Sequence, residues 1–73
     1  MDKQQEALHR LGARIAELRR QKDLTLDQLS TLAGLSSRQI AAIEAGKLDP
    51  PITMLFALAR GLGLSPSELL FRE

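Results

Sequence analysis

Leu8, Leu11, Ile15 and Leu18 recur at three- or four-residue spacing between Arg10, Arg14, Glu17 and Arg20, so residues 2 to about 22 predict one amphipathic helix. Asp2 offers this helix an N-cap with Gln5 three residues on, and Gly12 weakens its middle by about 1 kcal/mol relative to alanine. Thr25-Leu26-Asp27-Gln28 has capping-box form: the Thr25 hydroxyl takes an orphan N–H and Gln28 reaches back, which starts a second, short helix. Gly34 after Ala33 suits the left-handed residue that ends a helix, and Ser36-Ser37-Arg38-Gln39 is another capping box two residues later. That third helix carries Ile40 and Ile43 inward and runs to Ala45, with Gly46 as terminator. Residues 25–46 therefore read as helix, tight turn, helix.

Asp49-Pro50-Pro51 interrupts the chain, and proline is tolerated at a helix start because its missing N–H would have been an orphan there. Ile52, Leu55, Leu58, Ala59 and Leu62 repeat at helical spacing before Gly63 and predict a fourth helix. Ser65-Pro66-Ser67-Glu68 is a third cap signal, so a brief fifth helix follows over 66–71, the C-terminal pair occupying about 51–71. No run alternates with period two between hairpin turn signals. The expected fold is all-α, five helices around one Leu-rich core, in a single domain spanning 1–73.

Composition narrows what such a domain can be. A core built from 73 residues supplies only about 3–5 kcal/mol unless a disulfide, a metal or a partner chain adds to it. The chain has no Cys and one His, which excludes disulfides, a thiolate nucleophile and a Cys-based or multi-histidine metal site. Oligomerisation remains. The apolar fraction of 44% with 26% charged residues is that of a folded, soluble domain. No stretch has the length of a membrane span or the apolar core of a secretory signal, so a cytoplasmic address without membrane contact is expected. Net charge is only +1, but residues 1–22 carry six basic against three acidic side chains, and residues 23–50 carry two against four. The positive charge is concentrated at the N-terminal end.

Catalytic patterns are missing. There is no phosphate loop of the form G-x-x-x-x-G-K-[ST], no H-E-x-x-H and no strand-borne G-x-S-x-G. His9 has no evident triad partner and reads as a surface side chain, so the chain is expected to be no enzyme and to need no cofactor.

Two short helices joined by a Gly-containing turn, with small Ala33 and Gly34 where they approach, can project the second helix from the surface. Here the chain resembles the helix-turn-helix family of phage repressor/Cro-like proteins, also called the xenobiotic-response-element family. The resemblance spans residues 11–70. It runs through Leu11-Gly12-Ala13-Arg14-Ile15, Leu18-Arg19, Leu24-Thr25, Leu29, Ala33-Gly34-Leu35-Ser36, Ile40, Ile43-Glu44, Gly46, Leu62-Gly63-Leu64-Ser65 and Glu68-Leu69-Leu70. It implies a lambda-repressor-like DNA-binding domain whose third helix enters the major groove while the second crosses the backbone.

Carried onto this chain, the resemblance assigns base reading to Ser36, Ser37, Arg38, Ala41 and Ala42. Helical geometry agrees, since inward Ile40 and Ile43 leave 37, 38, 41, 42 and 45 largely outward. Arg38 is the side chain there able to grip guanine O6 and N7 together, and the alanines can meet thymine methyls. Phosphate contacts are expected at the N-termini of the second and third helices from Thr25, Gln28, Ser36, Gln39 and Lys47. Arg14, with Arg10 and Arg20, adds a weaker field. For Thr25 and Ser36, helix capping and phosphate contact are compatible. The resemblance also implies a partly buried structural ion pair between Arg19 and Glu44.

The chain departs from the family pattern at several of these places. Leu26 stands where a DNA-touching Gln is frequent, Ser30 replaces the usual Ala, and Ala41, Ala42 and Ala45 leave the third helix few polar readers. With its acidic middle segment the domain should neutralise few phosphates, giving a salt slope of about −2 to −4 per protomer, with DNA shape contributing to specificity. The function expected is a bacterial or phage transcription regulator, repressor-like and nucleoid-associated, binding double-stranded DNA as a homodimer on a palindromic operator. Leu64, Leu70 and Phe71 are the candidate dimer contacts. Closure of the monomer core is the preferred reading for Leu64, and the two readings stand level for Leu70 and Phe71. The alternative function is an antitoxin-like protein-interaction subunit with secondary DNA binding, which the apolar third helix would suit.

Overall fold

Oxygen-bearing side chains set the starts of four of the five helices in the computed structural model, which describes residues 2–71. Asp2 accepts the Gln5 N–H at 2.7 Å and opens α1 (Lys3–Gln21). Reciprocal capping boxes open α2 (Leu26–Ala33), through Thr25 and Gln28, and α3 (Ser37–Glu44), through Ser36 and Gln39. Ser65 and Glu68 form the same reciprocal pair at the head of α5 (Pro66–Phe71), with N···O distances of 3.2 and 3.0 Å. Only α4 (Ile52–Leu62) starts without a side-chain cap, from Pro51, where proline's fixed φ and missing N–H already suit a helix start. No strand occurs among the described residues.

The ends of the helices are equally local. Asp23 takes a left-handed φ of 56°, and α1 stops one residue earlier than the periodicity suggests, with Lys22 as C-cap. Gly34 adopts φ 71° after α2, a conformation that costs a side-chain-bearing residue about 1–2 kcal/mol, and it turns the chain directly into α3. After α3, the Gly46 N–H donates to Ile43 and the Lys47 N–H to Ala42, the paired bonds of a Schellman ending. Glu44 is the last helical residue and Ala45 the C-cap.

Every helix contributes to one core. Ile15, Leu29, Ile40, Ile43, Leu58, Leu62 and Leu69 are fully buried, each worth about 1.5–3 kcal/mol relative to exposure. α3 supplies two of them and is thereby anchored although it is only eight residues long. α2 packs on α4, α1 on α3, and α5 closes against α4. Ile52 departs from the sequence expectation, being 53% exposed. At 100° per residue it lies about 70° from the centre of the stripe made by Leu55, Leu58, Ala59 and Leu62, so the first turn of α4 leaves it at the edge of the core. Phe56, one turn further on the same flank, is 48% exposed.

Two glycines inside helices set the interhelical distances. A Cβ on Gly12 would stand 2.3 Å from the Ile43 carbonyl oxygen and 2.6 Å from that of Glu44, and one on Gly61 would stand 3.0 Å from Leu29 Cδ1. Gly12 is therefore the place where α1 touches the backbone of α3, and its cost in helix propensity is offset by that approach.

Candidate nucleic-acid interface

The capping boxes orient more than the backbone. In both, the glutamine carbonyl oxygen accepts the N–H of the capping residue: Gln28 Oε1 from Thr25 at 2.8 Å, Gln39 Oε1 from Ser36 at 3.0 Å. The Thr25 and Ser36 hydroxyl oxygens in turn each accept an N–H at 3.0 Å. Each glutamine therefore turns its amide NH2 away from the helix, and each capping hydroxyl keeps its own proton to donate. The two short helices thus present outward-facing donors at their positive ends, an arrangement suited to phosphate oxygens.

On the outer side of α3, Arg38, Ala41 and Ala45 are exposed, and Ser37 and Ala42 are half-buried. Arg38 makes no hydrogen bond or ion pair with any described residue, so its guanidinium is free at the head of the helix. Lys47 is exposed beyond the other end of α3. At 100° per residue Ser37, Arg38, Ala41 and Ala42 fall on one side of α3, opposite Ile40 and Ile43, with Ser36 at the head of the helix and the exposed Thr25 and Gln28 at the head of α2.

Three anchors fix α3 in that position. Arg19 Nε donates to Glu44 Oε2 at 2.7 Å and its second terminal nitrogen to Oε1 at 3.0 Å, while the remaining nitrogen donates to the Leu24 carbonyl at 2.8 Å. This fork-on-fork pair is largely buried, the two side chains being 13% and 11% exposed. The Glu44 hydrogen bond raises the Arg19 pKa further above its ordinary value, against the lowering by burial. Beside it lies the Gly12 contact. At the opposite end of α3 the Ser37 hydroxyl donates to the Asp27 carboxylate on α2, and the Ser30 hydroxyl of α2 donates to the carbonyl of Leu35 in the turn between the two helices. Ser30 and Asp27 went unassigned in the sequence reading. The serine at an alanine position was the signal for the first; nothing local marks the second.

Other expected site residues lie elsewhere. Arg14 spends its guanidinium on α5, donating to the carbonyls of Leu69 at 3.0 Å and Glu68 at 2.9 Å. Through these two bonds Arg14 tethers α1 to α5. His9 covers Gly46, where a Cβ would meet its Nδ1 at 2.8 Å, so the ring packs against the turn that follows α3. Leu64 and Leu70 are half-buried against the core, whereas Phe71 is 79% exposed. Leu70 and Phe71 line a shallow groove with Ala7 and Leu11 of α1, and Lys3 and Arg10 stand on its rim. Among the described residues no side-chain cluster suits a metal ion, and no helix is long and apolar enough to cross a membrane.

A helix-turn-helix family model matches residues 15–69. The chain is 36% identical over 59 residues to the uncharacterized HTH-type transcriptional regulator y4dJ of Sinorhizobium fredii, covering 81% of this chain and 77% of that protein. It is 35% identical over 63 residues to the immunity repressor protein of Bacillus phage phi105, covering 86% of this chain and 44% of the repressor, so it spans less than half of that relative. Its fold is similar to the crystal structure of the restriction-modification controller protein C.AhdI from Aeromonas hydrophila, with a TM-score of 0.88 at 29% identity, covering 93% of this chain and 99% of that one. Five helices with an exposed α3 after a glycine turn, matched along most of their length, place the chain in the helix-turn-helix family: it is a transcriptional regulator with a helix-turn-helix DNA-binding domain, and not an enzyme.

Proposed function

We propose that this regulator binds its operator as a homodimer, each α3 lying in the major groove of one of two half-sites about one helical turn apart. The observation that carries the base-reading assignment is the free Arg38 guanidinium at the exposed head of α3. Arg38 takes guanine O6 and N7, Ser36 and Ser37 meet neighbouring base edges, and Ala41 and Ala42 meet thymine methyls. Thr25, Gln28, Ser36, Gln39 and Lys47 hold phosphates and fix the register. Arg14, with two of its five N–H donors on α5 carbonyls, contributes its charge to the field rather than a defined phosphate contact. With so few direct readers, DNA shape supplies the remaining discrimination. Acting on DNA places the protein in the cytoplasm at the nucleoid.

In a gel-retardation titration with its own promoter fragment, Arg38→Ala combined with Ser37→Ala should weaken specific binding by at least about tenfold. Neither side chain contributes to the core, so the variant folds. Specific retardation that survives the double substitution would reject the assignment.

Association is supported by the exposed Phe71 next to Leu70, with Leu64 turned to the core. Two-fold pairing would bury each Phe71 against the other copy. Phe71→Ser should raise the dimer dissociation constant in sedimentation equilibrium at least about tenfold; unchanged association would place the interface elsewhere.

Leu32 and Ile52, both 53% exposed, and Phe56 favour a second reading. These apolar side chains suit a protein partner, as in an antitoxin-like subunit that regulates DNA secondarily. Purified protein that retards the promoter alone supports the first reading; retardation only with a co-expressed partner supports the second.

A further inference from the structure

A serine at the head of a recognition helix is ordinarily a poor reader of sequence, because its hydroxyl can donate to one base and accept from another. Ser37 is not in that position. Its single proton is given to the Asp27 carboxylate, a charge-assisted bond of the strong class. What it keeps is lone pairs. Asp27, on the first turn of α2 and exposed, likewise has only acceptor oxygens to offer, since a carboxylate has no proton to give. One turn of two different helices thus concentrates acceptors beside the pure donor Arg38.

We infer that Asp27 is a specificity-determining residue that converts Ser37 into an acceptor-only reader. The base it faces must then present an amino group in the major groove: adenine through N6 or cytosine through N4. Thymine and guanine present only acceptors at the matching positions, O4 and O6, and meet a wall of lone pairs. The half-site should therefore pair a guanine, taken by Arg38, with an adjacent adenine or cytosine. Asp27 also sets a negative charge beside the phosphate-facing end of α2, which weakens contacts on every sequence alike and leaves discrimination more dependent on base fit. This inference rests on the proposed base reading by α3, and the test separates the two.

Duplexes selected from a random pool by the full chain would be compared for the wild type, Asp27→Ala, Ser37→Ala and Arg38→Ala. Asp27 is exposed and outside the core, so its replacement leaves the fold intact. The wild type should select a guanine that disappears with Arg38→Ala, and beside it adenine or cytosine over thymine or guanine by roughly fivefold, the low end for a direct contact to a base edge. Asp27→Ala should retain the Arg38-dependent guanine and lose the neighbouring preference, because the freed hydroxyl donates as readily as it accepts; Ser37→Ala should lose it too. A neighbouring position that is indifferent, that selects thymine or guanine, or whose amino-base preference survives Asp27→Ala would overturn the inference while the guanine contact stands. A selected sequence unchanged by Arg38→Ala, or no selected sequence at all, would remove the base-reading assignment and this inference with it.

Discussion

Gly12→Ala is expected to destabilise the domain, although alanine is the better helix former at a mid-helix position. Propensity alone would stabilise α1 by about 1 kcal/mol. Against it stands a Cβ placed 2.3 Å from one backbone carbonyl oxygen of α3 and 2.6 Å from the next. Backbone atoms cannot rotate aside, so α1 and α3 must separate, and the loss spreads to Ile15, Ile40 and Ile43 between them. Overpacking of this kind costs typically 1–3 kcal/mol and more where backbone must move, so a net loss of about 2 kcal/mol or more is expected. For a domain of this size that lowers the melting temperature by about 10 °C or more. A thermal melt followed by circular dichroism decides the matter by its sign. A raised melting temperature would mean that the contact is not maintained in solution.

Glu44→Ala is expected to cost still more, about 3–5 kcal/mol, because it strands a buried guanidinium rather than removing an isolated contact. Arg19 would keep only the Leu24 carbonyl. Since the domain's total stability is of the order of 4–11 kcal/mol, the variant should melt near or below the working temperature. Glu17, exposed on α1 and bonded only to Gln21, is the control, and Glu17→Ala should change stability by less than about 0.5 kcal/mol. The raised Arg19 pKa fixes the sign of the pH dependence on the arginine side: its contribution is fully present below its unfolded-state pKa and fades only as pH rises through the higher folded-state value. The difference between Glu44→Ala and wild type should therefore hold steady across the neutral range. Equal shifts for Glu17→Ala and Glu44→Ala would reject the architectural role.

Both variants act on the same joint, where the last turn of α3 meets α1, and that joint decides how α3 projects. Arg19, Glu44 and Gly12 act as positioning residues: they hold the α3 C-terminal end, while Ser37 and Asp27 tie its N-terminal end to α2. A helix of eight residues is too short to hold its own geometry in water. In the proposed complex its register on DNA therefore depends on the joint with α1, made by Glu44, Gly12 and the buried Ile40 and Ile43.

Much of this was legible in the residues themselves. The caps at Asp2, Thr25, Ser36 and Ser65, the glycine endings and the inward Ile40 and Ile43 follow from rules that act over three or four residues, and each is present. Arg19 and Glu44 were paired through family resemblance, and no local rule links residues 25 apart. Ile52 was misplaced because spacing shows that residues share a stripe, but not how far along the helix the core extends.

The chain by itself determined where helices start and stop, that five of them share one core, and that the second and third make a helix-turn-helix, because capping, turn conformation and periodic burial are short-range effects. Tertiary structure decided the rest. It turned Gly12 from a weakness of α1 into the contact that α3 rests on, gave Arg14 to the carbonyls of α5, and set the Ser37 proton on Asp27. Each of these depends on groups brought together from distant positions or different helices, whose meeting is settled by packing and by the need of every buried polar group for a partner.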